Sequence, residues 1–227
     1  MLNGFEKILT PDNVTFLLKG AGMSLLIAVI GLVCGVLIGI VIAGFRISRN
    51  RILKGIGHFY VEVIRGTPML LQISFIYIGI PMVYTAITGG YLQFDPVLAG
   101  IVAISINSGA YTGELIRGSI NSIDKGQWEA GKSLGLTHNQ ILRKIILPQS
   151  FKRIIPPLTS EFVTLIKDSS LVSTIGGIEL MKAQKTVGNA TFSYMEALMV
   201  ASIFYLVMTL GISYVSSRLE RKMAESD

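Results

Sequence analysis

Charge is what this chain has least of. Only 15% of its 227 residues are Asp, Glu, Lys or Arg, where a soluble domain carries about 25%, and that deficit argues against an ordinary soluble enzyme. There is one cysteine, Cys34, so no intrachain disulfide can form. Two His and one Cys do not supply the ligand set of a dedicated zinc site. Glycine numbers 24 but follows no three-residue period, which excludes collagen. Low charge with 51% hydrophobic residues excludes disorder.

What is present is apolar length. Mean hydropathy is +0.60, and four runs contain no Asp, Glu, Lys, Arg or His: 20–45, 66–94, 96–113 and 197–217. A membrane-spanning helix needs about 20 mostly apolar residues, so spans are predicted near 17–45, 59–82, 96–118 and 193–217. The tail of the second run, around Pro81 and Gly89, reads as a loop. Residues 149–172 are apolar but carry Glu161, Lys167 and Asp168. Topology recruits them as a fifth span. Arg46, Arg49, Arg51 and Lys54 follow the first span, Arg117 through Arg153 the third, and Arg218, Arg221 and Lys222 the last, while the loop after the second holds no Lys or Arg. Positive loops stay in the cytoplasm, which requires an odd number of spans and an external N-terminus. Lys182 and Lys185 oppose this mildly. The net charge of +6 thereby marks cytoplasmic loops, and no nucleic-acid motif accompanies it. The first span is too long for a cleaved signal core. In it Gly31, Gly35, Gly39 and Ala43 recur every four residues, either as a ridge for close helix approach or because glycine is common in membrane helices.

Residues 126–133, GQWEAGKS, match the phosphate-loop pattern letter for letter. That loop needs a buried strand before it, and SINSIDK at 119–125 makes a poor one, so the match is read as coincidence. The same loop carries a second pattern: Glu129, Ala130 and Gly131, then Gly135, then Ile145, Leu147 and Pro148. Its two halves are expected as short helices over 122–132 and 137–146, broken at Gly135, with Thr137 as an N-cap. Trp128, Leu134 and Leu136 leave an apolar face, which serves either as a docking surface or as packing under the chain's own spans.

This spacing resembles the signature loop of the membrane-spanning subunits of ABC importers, with Gly131 where that family usually has Ala. Three further segments look like the polar amino acid branch of these permeases: Glu62, Arg65, Thr67 and Pro68; Asn107, Tyr111, Glu114 and Arg117; and Lys167, Asp168, Ser169 and Gly176. The resemblance implies a single transmembrane permease domain over 1–227. It would be all-α, a type I ABC importer permease fold of five helices with a cytoplasmic C-terminus and a coupling loop at 119–148. It implies an ABC ATPase dimer docking at Trp128, Glu129, Ala130, Gly131, Gly135 and Leu136. A second permease subunit, identical or homologous, and an extracellular amino-acid-binding protein complete the assembly. ATP and Mg would belong to the ATPase, and this chain would bind no cofactor or metal. The location implied is the bacterial inner membrane, in contact with lipid.

Ionisable groups within a membrane mark pathways. Asn107, Tyr111 and Glu114 share one helix face, as do Glu161, Thr164 and Asp168, and with Lys167 and Ser169 they are the substrate-path candidates. Glu161 has no basic neighbour in sequence and is the leading one. Glu114 has a competing role, an i,i+3 pair with Arg117. Lys167 and Asp168 have another, neutralising each other where the helix unwinds. The rival function is a self-contained ion-coupled secondary transporter, which would commonly show internal repeats; none is visible.

Overall fold

The structure, a computed structural model, describes residues 2–224. A short helix α1 (Leu2–Ile8) precedes α2 (Pro11–Ile47), which takes up the first uncharged run in 37 residues. The glycine ridge of α2 is used. A Cβ at Gly31 would meet Ile104, one at Gly35 would meet Ser108, and one at Gly39 would stand 2.8 Å from the Gly113 backbone nitrogen. The partner numbers rise with those on α2, so α2 and α5 (Pro96–Asn121) run parallel, nearly backbone to backbone. The other face of α2 presents exposed Leu26, Val29, Val33, Leu37 and Val41. Small residues inward and large aliphatics outward is the arrangement a lipid solvent favours.

The second span departs from expectation. The chain forms α3 (Arg51–Arg65), breaks at Gly66, Thr67 and Pro68, and restarts as α4 (Met69–Thr88). Pro68 has no N–H to donate and disfavours helix in the residue before it, so an unbroken helix over 59–82 is not available. Nor does the chain become a loop at Pro81. A π-helical turn at Phe75–Gly79 ends two residues before that proline, and such turns absorb local breaks in the hydrogen-bond ladder. The helix runs on to Gly89, whose φ of +67° ends it.

α5 starts on Asp95, whose side chain accepts from Leu98 N at 2.9 Å. It is the central helix, with Ala103, Ile104, Ser108 and Thr112 buried. Among the described residues, three helices are apolar enough by length and composition to cross a membrane: Pro11–Ile47, Met69–Thr88 and Tyr194–Arg218. α5, expected as a clear fourth, falls outside that set. Its Gly, Ser, Asn and Tyr residues lower its hydropathy because it contacts protein on most sides.

The loop that follows holds α6 (Lys125–Ser133), capped by Asp124, and α7 (His138–Ile141), capped by Thr137 in a capping box with Gln140. The first loop helix therefore begins three residues later than expected. The second does not stop at 146: it passes through a π turn at Leu142–Ile146 straight into α8 (Leu147–Asp168). α8 unwinds through a 3-10 turn at Ser169–Ile175 to Gly176, at φ +94°. α9 (Leu180–Thr191) and α10 (Tyr194–Ala224) complete the chain. Gly100 lies against Val172 and Ser119 bonds to Ser150, so α8 runs antiparallel to α5. Ser216 bonds to Thr159 and Tyr205 to Glu179, so α10 runs antiparallel to α8.

Candidate functional site

The break in the second helix is held against α5. Tyr60 of α3 donates to the Ile106 carbonyl at 2.6 Å, and Arg65 lies over the Tyr111 ring at 4.9 Å. Gln72 stitches the two half-helices together. Its amide donates to the carbonyls of Ile64, at 2.7 Å, and Thr67, at 3.1 Å, and its oxygen accepts from Asn107 at 3.0 Å. A carbonyl released by the break thus finds a partner, as irregular backbone at membrane depth requires.

At this break the chain lines an open cavity of about 520 Å³. Arg65 and the broken backbone form one wall, Asn107 and Tyr111 of α5 a second, and Glu161, Thr164 and Asp168 of α8 a third. Five of the eight substrate-path candidates therefore line one space. Glu161 does not lack a basic neighbour: Arg65 faces the same cavity, supplied by an element almost a hundred residues away in sequence. Arg65 and Gln72 were not among the candidates. Gln72 was visible as an amide inside an otherwise apolar stretch, and Arg65 as the last charge before it.

Three candidates lie elsewhere. Glu114 sits in an adjoining cavity of about 390 Å³ that shares Arg65 and Tyr111 with the first. Its pair with Arg117 is formed, with Nε donating to both carboxylate oxygens at 3.0 Å, and Arg46 stands 3.3 Å away on the other side. Ser169 is buried and donates to the Ile166 carbonyl at 2.7 Å. Lys167 is exposed and lines neither cavity.

The second candidate site is the 119–148 loop. Residues 126–133 lie in or at the end of α6, so their backbone N–H groups serve a helix and not a phosphate cradle. Trp128 stacks on His138, with ring centroids 4.9 Å apart. Trp128 and Leu136 pack against Ile120, Ile123, Ile141 and Ile146, so much of the expected apolar face is spent on the loop's own core. Leu134 is left 77% exposed, with Glu129, Ala130 and Gly135 open beside it. Gly131 is buried, and a Cβ there would stand 2.7 Å from Ile141 Cγ1. Glycine at this position thus fits a close crossing of α6 and α7.

Residues 35–225 match the family described as binding-protein-dependent transport system inner membrane component. The arginine transport system permease of Bacillus subtilis (strain 168) is 38% identical over 96% of this chain and 97% of its own length. The glutamine transport system permease of Escherichia coli (strain K12) is 40% identical over 92% and 94%. Among solved structures, an amino acid ABC transporter crystallised with histidines matches with TM-score 0.86 at 36% identity, over 93% of this chain and 95% of that one. A methionine ABC transporter in an inward-facing conformation shares the fold, with TM-score 0.73 at 17% identity. The architecture is that of a type I ABC permease, and the chain belongs to the family of binding-protein-dependent transport system inner membrane components.

Proposed function

We propose that this chain forms the translocation path of an ATP-driven importer for a polar or charged amino acid in a bacterial inner membrane. The observation that carries the reading is the cavity at the broken second helix, where one guanidinium, Arg65, faces two carboxyl groups, Glu161 and Asp168. Discontinuous helices line substrate sites in membrane transporters because unwound backbone adds polar groups at the midplane. Arg65 suits an α-carboxylate and the carboxyl pair suits ammonium groups. Two carboxyls against one guanidinium make an amino acid with a cationic side chain the best complement.

The crossings are read from the helix directions, and the partners from the family. The parallel run of α2 and α5 supports a complete return crossing between them, made by α3 and α4 together. α8 and α10 then add two more crossings, giving five, with the N-terminus outside and the C-terminus in the cytoplasm. A second permease subunit, identical or homologous, closes the path. Two ATPase subunits carry ATP and Mg and dock on the 119–148 loop. An external amino-acid-binding protein delivers substrate. Hydrolysis belongs to the ATPase, and the two path conformations are biased by nucleotide and docked receptor.

The test is reconstitution with cognate ATPase and binding protein, followed by uptake of labelled arginine, glutamine and glutamate. Glu161→Gln and Asp168→Asn are each expected to lower uptake at least tenfold while the complex still assembles. Glu129→Lys combined with Gly135→Asp is expected to abolish capture of the ATPase. Uptake driven by an ion gradient, with no ATPase present, would replace this reading with the secondary-transporter one.

A further inference from the structure

Two cavities lie on the side of α5 opposite Asn107, Tyr111 and Glu114. The first, about 320 Å³, is an almost wholly apolar slot walled by Val36 and Ile40 of α2, Ile116 of α5, and Phe151, Ile154 and Leu158 of α8. The second, about 640 Å³, shares Ile40, Ile116, Ile120 and Leu147 with the first. It opens where α2 ends, and its polar lining is Ser48, Arg49, Thr137, His138 and Asn139. Among the described residues, no acidic side chain lines either space.

The slot opens sideways: Ile40 is 55% and Phe151 68% exposed on its lips. Along α8 it reaches from Leu147 to Leu158, roughly 16 Å at the helical rise of about 1.5 Å per residue. That is about half of the ~30 Å hydrocarbon core of a bilayer, the depth of one leaflet. At its upper end Arg49 belongs to the basic cluster that the positive-inside rule assigns to the cytoplasmic face. Gly44 lies in the wall of the polar space, and a Cβ there would meet nothing within 4 Å.

We propose that this groove binds one anionic phospholipid of the cytoplasmic leaflet. The phosphate is held by Arg49 with the Ser48 hydroxyl and the Asn139 amide, and an acyl chain lies in the slot. Basic pockets between helices at this level are suited to anionic head groups. Three of the residues that line the polar space, Thr137 to Asn139, belong to the 119–148 loop, and His138 is stacked on Trp128. The lipid therefore braces the loop against the end of α2. The inference rests on the membrane orientation proposed above and is independent of the amino acid carried.

Native mass spectrometry of the permease–ATPase complex tests it, after delipidation and exposure to defined phosphatidylglycerol or phosphatidylcholine. One phosphatidylglycerol per permease subunit is expected to survive activation, at least tenfold in excess over phosphatidylcholine. Arg49→Gln is expected to remove that preference and Arg49→Lys to keep most of it. Gly44→Phe, which fills open space, is expected to lower retention of both lipids. Equal retention of the two lipids, unchanged by every variant, would overturn the proposal in favour of unspecific surface lipid. Retention by the free permease but not by the complex would overturn it in favour of an ATPase surface covering the groove. Amino-acid uptake by the same samples reports separately on the transport reading: lost lipid preference with wild-type transport in hand condemns only the lipid site.

Discussion

Glu179 joins three helices through one carboxylate. It is fully buried and caps α9, accepting from Met181 N at 2.8 Å and Lys182 N at 2.9 Å. It also accepts from Ser24 Oγ of α2 at 3.2 Å and from the Tyr205 hydroxyl of α10 at 3.0 Å. Losing the cap costs about 1 kcal/mol, and each buried hydroxyl left without its acceptor costs about 1–3 kcal/mol more. Glu179→Ala should therefore destabilise by about 3 kcal/mol or more, while Glu179→Gln, which keeps an acceptor oxygen, should lose much less. Thermal unfolding in detergent, read by loss of monodispersity, separates the two; equal midpoints for both variants would refute the capping role. In the sequence Glu179 is only a charge near Lys182 and Lys185, because a cap that serves two distant helices leaves no local spacing. Glu161 and Asp168 were legible for the opposite reason: a carboxyl inside an apolar helix stands out by composition. Their counter-charge, Arg65, was not, since its proximity exists only after the second helix breaks and folds back on α5.

Among the elements, the α2–α5 contact is the one in which the sequence pattern and the packing coincide residue by residue. Gly31, Gly35 and Gly39 were legible as a ridge, and the structure supplies its mate in Ile104, Ser108 and Thr112, which share the four-residue spacing. What spacing alone left open was whether the glycines pack or merely abound, and a matched series on a second helix answers that. A side chain at Gly39 meets the backbone of Gly113 as well as Thr112 Cβ at 2.8 Å, and backbone cannot rotate away. Gly39→Ala should cost about 1–3 kcal/mol through overpacking. Gly22→Ala on the same helix, where nothing lies within 4 Å, should be neutral or stabilise by up to about 1 kcal/mol. Comparing the thermal midpoints of the two purified variants checks the packing without reference to transport. The broken helix was the element least legible in advance. Hydropathy averages over Gly66, Thr67 and Pro68, and only backbone chemistry at Pro68, together with Gln72 waiting to take up the released carbonyl, makes the break a stable feature.

For the molecule as a whole, the main consequence is a charged face that a single chain cannot cover. Arg51, Lys54, His58, Glu62 and Arg65 recur on one side of α3, while Ile52, Ile56 and Val63 occupy another and Gly57 and Val61 face the bundle. The side chains of His58 and Glu62 are 63% and 67% exposed. Tyr60 is anchored to the middle of α5, which in the proposed five-crossing topology puts the end of α3 at membrane depth, where charges are costly against lipid. In the assembly proposed above, the charged stripe faces a second subunit and the water-filled path between them, and the aliphatic stripe faces the bilayer. Adjacent residues on α3 separate these two environments at one depth. In a Cys34→Ser background of the assembled transporter, Glu62→Cys should react with a water-soluble maleimide at a rate at least tenfold above that of Val63→Cys, and transported amino acid should slow that reaction. A lipid-soluble maleimide should reverse the ranking. Equal labelling of both cysteines by the water-soluble reagent would mean that α3 lies on the membrane surface, and the second crossing would then have to be made by α4 alone.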